Sequence, residues 1–193
     1  MAITTGISVH CYNLEAVGGI RHLLIRAFDG TDVILYGNTT NTHEITSIKE
    51  GASSAEWFLF EFRNETPVLN CTAARENGST SFECSVQFSV PNMTNAKLAS
   101  FQQMLDQCMM VMAVGNNGKA YVIGASQKYS NAVATDRSQT FCSLTALEGT
   151  TGAAYNDDNN QVVTLSCKQY ELPRMYDEAN ITYYNTGLMA QTT

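Results

Sequence analysis

Charge is scarce in this sequence. Asp, Glu, Lys and Arg make up 15% of residues, against about a quarter in an ordinary soluble domain, so a free surface has few charges to cover it. Basic residues are the scarcest, with 11 Lys and Arg against 18 Asp and Glu and a net charge of −7. A protein that grips duplex DNA carries a basic stripe that releases phosphate counterions. Here the basic residues are scattered, which excludes tight sequence-specific DNA binding. Long apolar runs are missing as well. The longest, residues 108–114, is far too short to cross a bilayer as a helix, so no membrane anchor is expected. Residues 1–19 contain neither the Lys or Arg nor the apolar centre of a secretory signal.

The chemistry of an active site is also thin. There are three histidines, His10, His22 and His43, and none lies in an HExxH or related spacing. GxxxxGK[ST], GxGxxG and GxSxG are absent. His10 stands beside Cys11, but adjacent residues of a strand point to opposite faces, so one small site cannot easily use both. Residues 156–160 (Asn-Asp-Asp-Asn-Asn) match the first ligand positions of an EF-hand loop. The sixth position, which needs Gly, is Gln161, and the twelfth, which needs Glu, is Cys167; a solvated turn is the simpler reading. No catalytic residue, metal ligand or cofactor is therefore expected. The six cysteines, at 11, 71, 84, 108, 142 and 167, never form a CxxC pair. Cys84 and Cys167 fall at core positions of alternating segments, so buried, reduced thiols are expected. The N-x-S/T triplets at Asn38, Asn64, Asn70, Asn77, Asn92 and Asn180 read as a by-product of an Asn- and Thr-rich composition.

What the sequence does have is alternation. Phe82, Cys84, Val86, Phe88 and Val90 share one face of a strand, and Ser81, Glu83, Ser85, Gln87 and Ser89 share the other. Asn77-Gly78 upstream predicts a tight hairpin with residues 68–74. Further strands are expected at 20–28 and 33–36, joined in a hairpin at Asp29-Gly30, and at 57–62, with Phe58, Phe60 and Phe62 opposed to Trp57, Leu59 and Glu61. Residues 109–114 and 120–124 flank Asn116-Asn117-Gly118, a further hairpin signal, and 140–147 and 161–170 supply two late strands. One helix is expected over about 94–108. Thr94 caps it, Pro91 blocks its backward extension, and Leu98, Phe101, Leu105 and Cys108 form its apolar stripe. Met109, Met110 and Met112, like Trp57, Phe58 and Phe60, are expected to fill core and not to form a contact surface. Residues 37–55, 126–137 and 149–160 read as loops, the first long enough to mark a binding element. From 173 to 193 the chain has little core pattern and reads as an extended tail. The fold class is thus mainly β: one domain over 1–193, a β-sandwich or rolled barrel-like arrangement of two antiparallel sheets with one flanking helix.

The order of these pieces, over about residues 51–170, resembles the tail tube proteins of tailed bacteriophages and the related tube-forming protein of type VI secretion. The long strand 81–90 leads through Pro91 into one helix, then into a hairpin at Asn116-Asn117-Gly118, the segment Tyr121-Val122-Ile123-Gly124, a loop and two alternating strands. The resemblance implies a virion structural protein, made in the host cytoplasm, that forms rings of six stacked into a hollow tube. Its partners would be itself and other phage tail proteins. DNA would pass without specific binding, in keeping with the shortage of basic residues. On this reading Asn41, His43, Glu44, Gln102 and Gln103 serve assembly, and Glu83 and Gln87 face the lumen. The alternatives are another tail or head–tail joining component, a carbohydrate-binding sandwich stacking sugars on Trp57, Tyr129 or Tyr155, and a small enzyme using His22 or His43.

Overall fold

Strand β6 (Ser79–Pro91) is the longest element, and its alternation sets the arrangement of everything around it. In the computed structural model of the chain, described over residues 17–28, 33–37, 43–49, 57–126, 140–176, 181–184 and 187–190, β6 pairs antiparallel with β5 (Val68–Glu76) on one side and β10 (Asn160–Gln169) on the other. The β5–β6 turn falls on Asn77 and Gly78, with φ of 48° and 79°. Two successive left-handed residues give the turn whose twist matches the flanking strands, which is why Asn-Gly is preferred there. β9 (Ser143–Thr150) adds to the far side of β10, completing a four-stranded sheet in the order β5-β6-β10-β9.

A second, seven-stranded sheet runs β2-β3-β11-β8-β7-β1-β4. Its members are β1 (Ile20–Ala27), β2 (Val33–Tyr36), β3 (Glu44–Lys49), β4 (Phe58–Phe60), β7 (Met109–Gly115), β8 (Ala120–Ile123) and β11 (Arg174–Tyr176). A two-stranded hairpin, β12 (Ile181–Tyr184) with β13 (Gly187–Ala190), follows near the C-terminus. Among the described residues strands predominate and there is a single helix, so the fold is mainly β and sandwich-like, without a closed barrel.

Two cores result. The first lies between the sheets and joins Cys84, Val86, Phe88 and Val90 of β6 and Val163, Leu165 and Cys167 of β10 to Leu23, Ile25, Met109, Val111 and Ala113 of the larger sheet. The second lies on the other face of the larger sheet. There Ile34, Ile45 and Ile48, from β2 and β3, meet Leu24, Trp57, Met110, Met112, Val114 and Tyr176. Because β7 is covered on both faces it is buried at every position. That explains why residues 108–114 read as a continuous apolar run and not as an alternating one. The short strand β4 divides its aromatic segment as its alternation requires: Trp57 and Leu59 go to the second core and Phe60 and Phe62 to the first. The methionines at 109, 110 and 112 are buried core residues.

Several expectations fail, each for a physical reason. The helix, α1, covers Asn95–Met104 and not 94–108. Thr94 does cap it, accepting from the Lys97 N–H at 3.4 Å. The C-terminal end is lost because the Cys108 carbonyl accepts from Phe28 N–H at 2.9 Å, which draws residue 108 onto β1 in extended form. The buried residues of the helix are Phe101 and Met104, whereas Leu98 and Leu105 are 43% and 46% exposed. No hairpin joins β1 to β2: β1 pairs with β4 and β7, and β2 with β3. The expected loop at 37–55 contains β3, whose Ile45 and Ile48 are fully buried. The expected tail from 173 contains β11, anchored by buried Arg174 and Tyr176, and then the β12–β13 hairpin. The larger sheet is not purely antiparallel, since β11 runs parallel to β3. Finally, Cys71 and Cys84 are joined in a disulfide, because the β5–β6 register sets them directly opposite each other. Residues 127–137 of the expected loop 126–137 lie outside the described residues, as do Asn41, His10, Cys11 and Tyr129.

Gly124 marks the end of β8 with φ of 86°, and a Cβ there would sit 2.8 Å from the Met109 carbonyl and 3.1 Å from Cys142 Sγ. Gly118, in the β7–β8 turn, has a similar φ of 81° but open space around it. Gly118→Ala is therefore expected to cost roughly 1 kcal/mol from backbone conformation alone, and Gly124→Ala clearly more, about 2–4 kcal/mol. Urea unfolding of both variants checks this ordering. Equal losses would mean that the close approach at Gly124 is accommodated freely.

Candidate functional site

The four-stranded sheet has a core face and an outer face. The outer face carries Asn70, Thr72 and Ala74 from β5, Ser81, Glu83, Ser85 and Gln87 from β6, and Thr164, Ser166 and Lys168 from β10, set side by side by the register. Ser143 and Ala146 of β9 continue the rows. This surface has no aromatic side chain, and its charges are Glu76, Glu83 and Glu148 against Lys168. Glu83 lies directly opposite Lys168 in the register. The result is a mainly small and polar wall, broken by Val68 and Val162, with a slight excess of negative charge, at which a phosphate backbone finds no cluster of cations.

The sheet is also open at both sides. β5 is nine residues long and β9 eight, and among the described residues no strand pairs with the free edge of either. Neither edge carries Lys or Pro, two residues with which soluble proteins often block such edges; the charges are Arg75 and Glu76 at the hairpin end of β5 and Glu148 on β9, whose pairing with β10 shifts register between Thr164 and Leu165. The Cα atoms of Cys71 and Cys84 are 4.1 Å apart, the spacing of a non-hydrogen-bonded pair. Hence Leu69, Cys71 and Ala73 direct their N–H and C=O groups away from β6, to the open side. By the same alternation Leu147 and Gly149 of β9 direct theirs away from β10. β5 and β9 run in opposite directions, so the β9 edge of one copy can meet the β5 edge of another as an antiparallel pair.

A separate groove of about 570 Å³ opens where the helix meets the edge of the larger sheet. Phe58, Phe60, Ile25, Phe101 and Met104 line it, with Gln103 and Lys97 at its polar side. Phe58 is 58% exposed there.

Against this geometry the expected site residues separate. Glu83 and Gln87 are exposed on the outer face of the four-stranded sheet. Gln102 and Gln103 are exposed on the helix, Gln103 at the groove. His43 and Glu44 sit where β3 runs beside β11: the His43 carbonyl accepts from Met175 N–H at 3.3 Å, and Glu44 pairs with Met175 in the register. The structure does not bring these three groups together. The open edges of β5 and β9 were not singled out from the sequence. Their mark was present in strands without Lys or Pro, but edge position depends on the topology.

The remaining candidates take ordinary structural places. Trp57 is 4% exposed and buried in the second core, so it is not available to stack a sugar, while Tyr155 stands fully exposed in the β9–β10 turn. His22 stands third in β1, next to Arg21. Its Nε2 accepts from Arg21 Nε at 3.0 Å, and partial burial, with the Arg21 charge second, holds its pKa below the usual imidazole value. Among the described residues no group of three or more His, Cys, Asp or Glu converges as metal ligands would. In the 156–160 segment, Asp157 accepts from the N–H groups of Ala154 at 2.7 Å and Ala153 at 2.8 Å, and Asp158 pairs with Arg63 at 2.6 Å. Comparison with protein-family models, with curated proteins and with solved structures gave no match.

The two backbone hydrogen bonds, from Ala154 first and Ala153 second, hold the Asp157 carboxyl below the usual aspartate range. A carboxylate with a depressed folded pKa keeps its contacts above the ordinary value and loses them as pH falls through the folded one. NMR titration should therefore give Asp157 a midpoint below that of a free aspartate, with the Ala153 and Ala154 amides moving at the same midpoint. An ordinary midpoint would show that the carboxylate does not anchor this turn.

Proposed function

We propose that this protein is a self-assembling structural subunit of the bacteriophage tail-tube kind, in which copies associate edge to edge into rings that stack around a channel. The observation that carries the reading is the four-stranded sheet with two unblocked, length-matched edges and a bare outer face. Adding β9 of one copy to β5 of the next satisfies backbone groups that otherwise face water and continues an all-antiparallel sheet. Such a head-to-tail contact closes into a ring if the rotation per subunit divides a full turn, and forms an open helix if it does not. The outer face then becomes the inner wall. Its Ser, Thr, Asn and Gln side chains, with Glu83 and Gln87 among them, and its slight negative charge favour passage of a nucleic acid over retention. The groove beside the helix, with Phe58 exposed, gives each subunit an apolar surface away from that wall for contact with a neighbouring ring or another tail protein. Rings of six, and a place in a virion tail, are what the family resemblance implies.

The reading does not require catalysis, and it gives a use to a low-charge surface. A protein that remains free in solution gains from edge charges that prevent pairing, whereas a protein that must polymerise is hindered by them.

Ala73→Pro tests it at one atom. The Ala73 N–H points to the open side, so proline there removes no hydrogen bond within the sheet of one molecule and is tolerated at an edge position. The variant should remain folded by circular dichroism yet form no rings or tubes in negative-stain electron microscopy, under conditions in which the wild type forms uniform annular assemblies. A wild type that stays monomeric at high concentration, or a variant that assembles as well as the wild type, would overturn the proposal.

A further inference from the structure

Four of the six cysteines lie on one rung of the four-stranded sheet. Cys71 of β5 pairs with Cys84 of β6, and Cys84 pairs with Cys167 of β10. Extending the β9–β10 register one residue beyond the Ser143–Ser166 pair brings Cys142 opposite Cys167. All four side chains face the core between the sheets. Cys71 and Cys84 are already joined. Cys142 and Cys167 are free thiols, buried at 0% and 5% exposure, and the Cys167 thiol donates to Gln169 Oε1 at 3.7 Å.

The kinds of pair alternate along the rung. With Cα atoms 4.1 Å apart, Cys71 and Cys84 form a close, non-hydrogen-bonded pair. The backbone groups of Cys84 therefore turn to Cys167, and those of Cys167 turn back to Cys84. Cys142 and Cys167 are then a second close pair. The backbone of Cys142 agrees: its N–H and C=O both bond to Met109 at 2.9 Å, on the side away from Cys167. The rung thus holds two pairs of the same geometry, one oxidised and one reduced, adjoining through Cys84 and Cys167.

We propose that Cys142 and Cys167 are a second disulfide site, filled by transfer of the Cys71–Cys84 bond along the rung. In the first step the Cys167 thiolate attacks Cys84 Sγ. The Cys84–Cys71 bond breaks, and Cys71 leaves as a thiolate that takes up the proton Cys167 gave up. In the second step Cys142 attacks Cys167 Sγ, the Cys84–Cys167 bond breaks, and Cys84 leaves and is protonated in turn. One disulfide is consumed and one formed, so no external oxidant is needed. Exchange requires the attacking, central and leaving sulfurs in line, passing through a mixed disulfide, and a rung perpendicular to the strands supplies that order. The neighbouring Cys142 side chain holds the Cys167 thiol below its usual range, against the opposing effect of burial and with the Gly124 N–H adding to it, while burial pushes Cys142 up. Cys167 is the first nucleophile because it adjoins Cys84 on the rung, while Cys142 lies one strand further away. Cys71, at the half-buried end of the rung, is the sulfur through which solution reagents reach the other three. The transfer moves the covalent clasp from the β5 edge of the sheet to the β9 side.

The test uses the full chain carrying Cys11→Ser and Cys108→Ser, so that only the rung cysteines remain. The protein, purified with one disulfide, is held without oxygen or added thiol at mildly alkaline pH. It is then quenched in acid, alkylated after denaturation and peptide-mapped without reduction. The expected result is a Cys142–Cys167 peptide that rises to a level comparable with the Cys71–Cys84 peptide. Alkylated Cys71 and Cys84 should appear in equal amount, at a rate independent of protein concentration. Cys142→Ala in the same background should stop after the first step and accumulate the Cys84–Cys167 peptide. A map that stays at Cys71–Cys84 throughout, with Cys142 and Cys167 fully alkylated, overturns the proposal, as does a purified protein with no disulfide on the rung. The same mapping of the wild-type chain decides the matter without relying on a variant to fold. None of these outcomes depends on whether the protein assembles.

Discussion

The pairing of β6 with β10 holds the structure together. The register runs without interruption from Asn160↔Pro91 to Gln169↔Phe82, so the two central strands present their apolar residues in step. Phe88 meets Val163 on the same face, Val86 meets Leu165, and Cys84 meets Cys167. A slip of one residue would turn each of these outward and replace them with Gln87, Ser85 and Glu83. Each fully buried side chain of this size contributes about 1.5–3 kcal/mol, so the correct register is favoured over the slipped one by a wide margin. Fixing that register also fixes the composition of the outer face, which is simply the complementary set of residues. The same alternation that builds the core therefore builds the wall proposed to line a channel, and the two cannot be altered independently.

The open edges follow from topology. Once β5 takes one side of β6 and β9 one side of β10, the outermost strands are short of a partner on one side each. Among the described residues nothing fills those places: the other strands are committed to the larger sheet or to the small β12–β13 hairpin. Low charge makes the edges usable, and the small, polar outer face lets such a sheet continue from one molecule to the next without a bulky step at the joint. The cysteine rung crosses this sheet from edge to edge, linking covalent chemistry to the same surface.

Much of this was legible in the sequence, and the limits have physical causes. Strict period-2 segments with a local turn signal were readable. β5–β6 around Asn77-Gly78 and β7–β8 around Asn116-Asn117-Gly118 are both observed, because such hairpins are decided by residues close along the chain. Asp29-Gly30 carried the same signal, yet β1 pairs with β4 and β7. Partners distant in sequence won over a local turn, and no local rule reports that competition. β3 and β11 were missed because each is short and its core residues, Ile45, Ile48 and Tyr176, are too few to show a period. The Cys71–Cys84 bond was missed because alternation places both on one face without saying that their strands are in register at those residues. Glu83 and Gln87 were assigned to an exposed face correctly, since parity along β6 suffices for that. The edge strands were not identified, since edge position belongs to the whole sheet and not to any segment.

The most direct measurement is hydrogen exchange of the β5 and β9 amides in dispersed and in concentrated, assembled protein. The account predicts that Leu69, Cys71 and Ala73, together with Leu147 and Gly149, exchange readily when dispersed and become protected on assembly, while the β6 and β10 amides are protected in both states. Assemblies in which those edge amides remain as open as in the free molecule would contradict it.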